Sequence, residues 1–304
     1  MREARKRIVG SLYDGILSPQ DWHGAIDTMR HALGAGVFNC FTLRTLDGQV
    51  IDSVDNLAGV GIREEKLREY ETHYLGEDPR MAVLMGLPVG RIMLDHEHIS
   101  MREISRNVVY ADLLRPNGFQ HTLGALVRDE GGSRDFLGFI RPADHAPYGA
   151  CDKELVERLM PDLSRAARLR ARTGQLARHA ALGLAALDAI PQGIAVVDAE
   201  CRIQYSNRCA DRLLGNTRVL RVRYGRLQCD EVQANAQLQQ QVARACGAAG
   251  AGMAGAQSLA GDGERLVITV LPLKASHPAA THWQAPLALV VLVDPAAPGG
   301  ASRI

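Results

Sequence analysis

The stretch LDAIPQGIAVVDAECRIQYSNRCADRLLG, residues 187–215, decides how the chain is read. A helix end gives way at Pro191–Gly193 to the run Ile194–Val197, apolar on both faces as in a strand covered from both sides. Asp198–Cys201 turns the chain. Ile203 and Tyr205 then alternate with Arg202, Gln204 and Ser206, so a second strand, Ile203–Ser206, turns one face to water. Asn207 is placed to accept a hydrogen bond from a first-turn amide of a helix. Along that helix Ala210, Leu213 and Leu214 share a face, and Gly215 suits a left-handed stop.

Strand, turn, strand and capped helix in this order resemble the entry of a PAS sensor domain. Gly193-Ile194, Asp198, Arg202-Ile203, Asn207 and Leu213-Leu214 carry the resemblance. Downstream, Val219–Leu227 reads as a strand interrupted at Tyr224-Gly225. Glu231–Cys246 reads as a polar helix with an apolar face of Val232, Leu238, Val242 and Ala245. Gly247–Gly263 has the small-residue composition of a loop. Leu266–Leu273 and Leu287–Val293 are strongly apolar and fit the closing hairpin of a PAS sheet. The connector SHPAATHWQAP separates them, and DPAAPGGASRI follows as a linker.

Bulk properties bound what the remainder can be. At 304 residues the chain suits two domains. A hydrophobic fraction of 46% and a net charge of +1 support packed cores and give no global electrostatic case for nucleic acid. Six cysteines, Cys40, Cys151, Cys201, Cys209, Cys229 and Cys246, show no CxxC pair, as expected of reduced structural thiols. The start MREARKRIVG lacks the apolar core of a signal peptide, and no apolar run reaches membrane-spanning length. A cytoplasmic protein without membrane contact is expected.

The first 150 residues read as helices, two strands, helices, then strands. Ile8, Leu12 and Ile16 mark one helix. Ser18-Pro19 caps a second through Trp22, Ile26, Met29 and Leu33. Val37–Thr45 and Val50–Val54 flank Asp47-Gly48, a strong hairpin signal. A charged helix is expected over Arg63–Leu75, a strand at Gly90–Leu94, and a helix over Ser100–Leu114 with Ser100 and Glu103 in capping-box spacing. His121–Arg128 and Phe136–Arg141 make a second hairpin. This order predicts an α+β sandwich with a mainly antiparallel sheet, as in GAF domains and the autoinducer-binding domains of quorum sensors.

Tyr70, Tyr74 and Asp78-Pro79, in YETHYLGEDPR, resemble the aromatic and Asp-Pro cluster beside the ligand pocket of those quorum-sensor domains. The resemblance implies a ligand-binding role for Tyr70, Tyr74 and Asp78: an aromatic wall and a carboxylate around a small amphipathic molecule. The same residues also fit a tyrosine pair packed on the sheet, with Asp78 capping the next helix, and that is the more ordinary use of such residues. The family's tryptophan is missing and the aromatic spacing is shorter, so lactone binding does not carry over.

Asp152–Leu187 is nearly continuous helix former, with leucines at 155, 159, 163, 169, 176, 184 and 187. Pro161 and Gly174 are expected to interrupt it. From Leu163 to Leu187 there are five arginines, Arg165, Arg168, Arg170, Arg172 and Arg178, and no acidic residue. A signalling helix that pairs with its twin in a homodimer, a nucleic-acid contact and a plain solvated face are the three readings.

A GAF-like or autoinducer-domain-like half (1–150), a connecting helix (151–187), a PAS-like half (188–295) and a linker tail (296–304) together resemble the sensor region of LuxR-type helix-turn-helix transcriptional regulators. The expected fold class is therefore α+β, two antiparallel-sheet sensor domains joined by a long helix. The resemblance implies a small-molecule ligand, and DNA contact only through an output domain that does not follow in this chain. The alternatives are a stand-alone sensor or adaptor, or an enzyme using the first pocket.

Other motifs do not make sites. Gly250-Ala251-Gly252-Met253-Ala254-Gly255 matches GxGxxG but lacks the strand before and the helix after it. His96 and His98 would share a side in an extended segment, yet two ligands do not hold a metal. Asn207-Arg208-Cys209 has its cysteine one place too late, and on the wrong helix, for a flavin adduct. No catalytic residue, no metal site and no cofactor is assigned.

Overall fold

The computed structural model of the chain describes residues 2–247, 253–261, 263–273 and 286–296. It falls into two units, Met1–Leu176 and Ala177–Ile304. In the first, α1 (Arg2–Asp14) and α2 (Pro19–Ala32) follow the apolar spacing of the sequence. The Ser18 side chain caps α2 by accepting from the Asp21 amide. β1 (Val37–Arg44) and β2 (Val50–Asp55) form the expected hairpin. α3 (Glu64–Glu69) runs through a widened π-type turn, Tyr70–Tyr74, towards α4 (Pro79–Gly86). Short pieces follow: β3 (Ile92–Leu94), α5 (Asp95–His98) and α6 (Met101–Arg106). The unit closes with the long hairpin β4 (Phe119–Glu130) and β5 (Ser133–Pro142), and then α7 (Ala150–Ala189) begins.

The sheet order is β2-β1-β5-β4-β3, with every neighbour antiparallel. Alternation sorts its side chains onto two buried faces. Phe38, Leu123, Ala125, Leu137 and Phe139 pack under α1, α2 and the first half of α7, through Val156, Leu159, Leu163 and Ala166. Phe41, Leu126 and Phe136 on the other face meet α4, and Val37 meets Tyr110 and Leu114. With both faces covered, the middle of β4, Leu123–Val127, is an apolar run rather than an alternating strand.

Three expectations for this unit are corrected. The charged helix stops being α-helical at Glu69. The helix expected over Ser100–Leu114 keeps its capping box but breaks at Asn107. There the side-chain oxygen takes the Val109 amide (2.9 Å) in place of helical bonding. Pro161 and Gly174 do not interrupt α7, which runs unbroken for 40 residues; buried Val156, Leu159, Met160 and Leu163 hold the helix on both sides of the proline. Beyond that packed portion, every side chain from 175 to 186 is exposed.

In the second unit β6 (Gly193–Asp198), β7 (Ile203–Ser206) and α8 (Arg208–Asn216) follow the opening stretch as read. Gly193 lies against α8: a Cβ there would stand 3.0 Å from the Ala210 Cα. Asn207 caps α8 as expected, whereas Gly215 lies within the helix, which ends in an extended Thr217. β8 (Leu220–Arg223) and β9 (Arg226–Cys229) form a separate ribbon, turned by Tyr224 and Gly225 at φ +53° and +74°. α9 (Val232–Ala245) precedes β10 (Gly255–Gly261), β11 (Glu264–Leu273) and β12 (Leu287–Val293). The sheet order is β10-β11-β12-β6-β7, again antiparallel. β10 corrects the loop expected at Gly247–Gly263: weak local propensity gives way to full cross-strand pairing with β11. Most of the SHPAATHWQAP connector, Gly250–Gly252 of the GxGxxG match and the end of the linker lie outside the described residues.

Candidate functional site: a cavity in the first unit

The face of the first sheet turned away from α7 does not fill completely. Val37, Asn39 and Phe41 of β1, Phe136, Gly138 and Ile140 of β5, and Thr122 and Gly124 of β4 form the floor of a cavity of about 100 Å³. Leu57, Ile62, Leu67 and Tyr70 cover it, and Met81 and Leu84 of α4 close one side. Part of the space exists because Gly138 lacks a side chain, whereas at Gly124 the Met93 and Leu84 side chains already stand 3.1–3.4 Å from where a Cβ would be. A Cβ on Gly138 would meet only the Asn39 carbonyl oxygen, at 3.8 Å.

The polar wall is a buried cluster centred on Asp78 and Arg80, which are 2% and 6% exposed. Asp78 caps α4 by accepting from the Arg80 amide (2.9 Å) and grips the Arg80 guanidinium through both oxygens, Nε at 2.9 Å and Nη2 at 2.6 Å. The Tyr70 hydroxyl donates to Asp78 Oδ2 at 2.7 Å. Arg80 Nη1 donates to Thr122 Oγ1 at 3.1 Å, and the guanidinium lies over the Tyr110 ring. Buried Asp95 continues the chain, accepting from the Thr122 amide (2.8 Å) and the Tyr110 hydroxyl (3.3 Å).

Burial pushes the Asp78 carboxyl up, but the Arg80 charge, with hydrogen bonds from Arg80 and Tyr70, outweighs it and holds the group below the usual carboxylate range. Burial and the Asp78 charge push the Tyr70 phenol up, so it stays a donor. Burial works against the Arg80 charge, and Asp78 more than restores it.

Tyr70 and Asp78 therefore line the cavity together, in hydrogen-bond contact. Tyr74 is half-buried and is not among the lining residues. Asp78 is at once a helix cap and a wall residue, so the two sequence readings describe one side chain. Arg80, Thr122 and Gly138 were missed. A lone arginine opening the apolar run PRMAVLMG was the available signal, since a charge facing a core needs a partner.

His96 and His98 sit on the helical turn α5 rather than in an extended segment, so a two-residue spacing does not bring them to one side. No group of three or more metal-ligating side chains occurs among the described residues. Among those residues, no helix is long and apolar enough to cross a membrane. In the second unit an open groove runs past Asp211, Arg218 and Arg221, and Cys209 is buried with its thiol towards the Pro191 carbonyl.

No family model and no curated protein matches the chain. Solved structures do. The ligand-binding domain of VqsR from Pseudomonas aeruginosa aligns at 15% identity over 54% of this chain and 94% of its own, with a TM-score of 0.43. CepR2 from Burkholderia cenocepacia, an N-acylhomoserine-lactone-dependent LuxR-family transcription factor, aligns at 17% identity over 54% and 93%, with a TM-score of 0.40. The PAS domain of an HTR-like protein from Haloarcula marismortui aligns at 16% identity over 41% and 98%, with a TM-score of 0.29. The structural neighbours thus include LuxR-family ligand-binding domains and PAS domains.

Proposed function

We propose that this chain is the signal-sensing region of a LuxR-type transcriptional regulator, that it works in the cytoplasm and that it catalyses no reaction. A small molecule would occupy the first unit's cavity. The observation that carries this is a mainly apolar cavity walled on one side by Tyr70, Asp78, Arg80 and Thr122. An apolar body with a few convergent polar groups is what a small-ligand site requires. The cavity and the first half of α7 press on opposite faces of one sheet, so filling the first biases the packing of the second.

Benzene is a suitable probe, since an apolar cavity of about this size binds it. At a hundred times its Kd it is expected to stabilise the first unit by about 2.7 kcal/mol and to change hydrogen-exchange protection in α7 around Val156–Leu163. Unaltered protection in α7 would refute transmission. Gly138→Val fills the space with three carbons. It should raise the stability of the free protein by about 1–2 kcal/mol, by burying methyl groups and restricting the unfolded chain. The same change should abolish the response to benzene. A destabilised Gly138→Val protein would mean that the cavity is not there to fill.

The exposed half of α7 supports a homodimer. Leu169, Leu176 and Leu184 are exposed and share a helical stripe with Ala180 and Leu187. Leu176→Glu combined with Leu184→Glu is expected to convert the dimer to monomer in sedimentation equilibrium; wild-type protein sedimenting as a monomer would end this reading.

A further inference from the structure

Asp78 has no acceptor capacity left for a ligand. Its Oδ1 takes the Arg80 amide and Nε, and its Oδ2 takes the Tyr70 hydroxyl and Arg80 Nη2. Four donors fill the lone-pair sites that a carboxylate offers. A ligand N–H aimed at Asp78 would have to displace one of them from a buried pair.

Donors, by contrast, remain. A guanidinium carries five N–H bonds. Arg80 uses its Nε–H and one Nη2–H on Asp78 and one Nη1–H on Thr122, leaving one hydrogen on each terminal nitrogen. The Thr122 hydroxyl accepts from Arg80, and no acceptor for its own hydrogen occurs among the described residues. Both side chains line the cavity.

Charge and size narrow the choice further. Asp78 and Asp95 set two carboxylates against one guanidinium, which disfavours an anion. Lys66, the other cation at the lining, is already held by Glu69 at 2.7 Å. About 100 Å³ has room for a ring of five or six heavy atoms.

We infer that the cavity takes a small, uncharged, mainly apolar molecule whose carbonyl oxygen accepts hydrogen bonds from Arg80 and Thr122. This rests on the sensing reading of the same cavity, and makes Asp78 the anchor of Arg80 rather than a ligand contact.

Three five-membered rings test it on the full chain by titration: cyclopentanone (acceptor), pyrrole (N–H donor) and cyclopentane (neither). Cyclopentanone should bind about tenfold more tightly than pyrrole, as a hydrogen bond from a charged donor implies. Its carbonyl carbon, ¹³C-labelled, should resonate downfield of its position in hydrocarbon solvent once bound, and Gly138→Val should remove the binding. Pyrrole binding as tightly as the ketone, or a bound carbonyl at its hydrocarbon position, overturns the inference and leaves the cavity reading standing. Failure of all three rings and of benzene overturns both.

Discussion

Arg80→Met is expected to destabilise the first unit by about 3–5 kcal/mol, because it strands the Asp78 carboxylate in a site only 2% exposed. Asp78→Asn should cost a similar amount by stranding the guanidinium. The double variant should cost clearly less than the sum, since a neutral pair of similar volume leaves no uncompensated charge. The pH dependence separates this account from simple loss of packing. In the wild type the Asp78 carboxyl is held below its unfolded range, so its contribution is fully present above about pH 4 and is lost as pH falls through the folded value. In Arg80→Met the carboxyl has burial without its counter-charge, and its folded pKa rises above the unfolded one. That variant should therefore gain stability relative to the wild type as pH falls from 7 towards 4, since Asp78 adds no slope to the wild type there. Hydrogen exchange of first-unit peptides in urea reads both slopes. Parallel pH profiles for the two proteins would show that Arg80 does not hold the Asp78 charge.

Much of the fold was legible because the local signals agreed with one another. The Asp47-Gly48 hairpin, the Ser18-Pro19 start of α2, the Ser100–Glu103 box and the Asn207 cap each rest on a few adjacent atoms, and each is present in the structure. What could not be read depends on distant partners. β10 is a strand only because β11 lies beside it, and α7 passes through Pro161 because the first unit packs against it. The site divides in the same way. Tyr70 and Asp78 lie eight residues apart in one short segment, and its resemblance to the quorum-sensor aromatic and Asp-Pro cluster points to them, whereas Thr122 and Gly138 reach the cavity from strands far along the chain. Their contribution, a hydroxyl and an absent side chain, leaves no periodic trace.

Asn207→Asp is the change expected to damage the second unit most, although it replaces one atom. Asn207 is fully buried and has all its hydrogen-bonding groups used. Its oxygen accepts from the Ala210 amide (2.8 Å) and the Ile194 amide (2.9 Å), while its nitrogen donates to the carbonyls of Leu187 (2.8 Å) and Gln192 (3.0 Å). One side chain thus joins the last turns of α7, the start of β6 and the first turn of α8. Aspartate keeps the two accepted bonds but turns a second oxygen, and a charge, towards two carbonyls. With the side chain itself fully buried, a cost of about 3–5 kcal/mol at pH 7 follows, above the roughly 1 kcal/mol of losing a cap alone. Asn207→Ser, which keeps a capping oxygen and loses the donors, should fall between the wild type and Asn207→Asp. The burden on Asn207→Asp is the ionised form, so its folded pKa lies above the unfolded value. The penalty is present above that raised value and is relieved as pH falls through it, when the protonated oxygen can donate to one of the carbonyls. Urea unfolding of the second unit, followed by hydrogen exchange at pH 7 and pH 5, should show Asn207→Asp closing part of its gap to the wild type at the lower pH. If it matches the wild type at pH 7, Asn207 does not fasten the end of α7 to the sheet, and this coupling of helix to second unit fails with it.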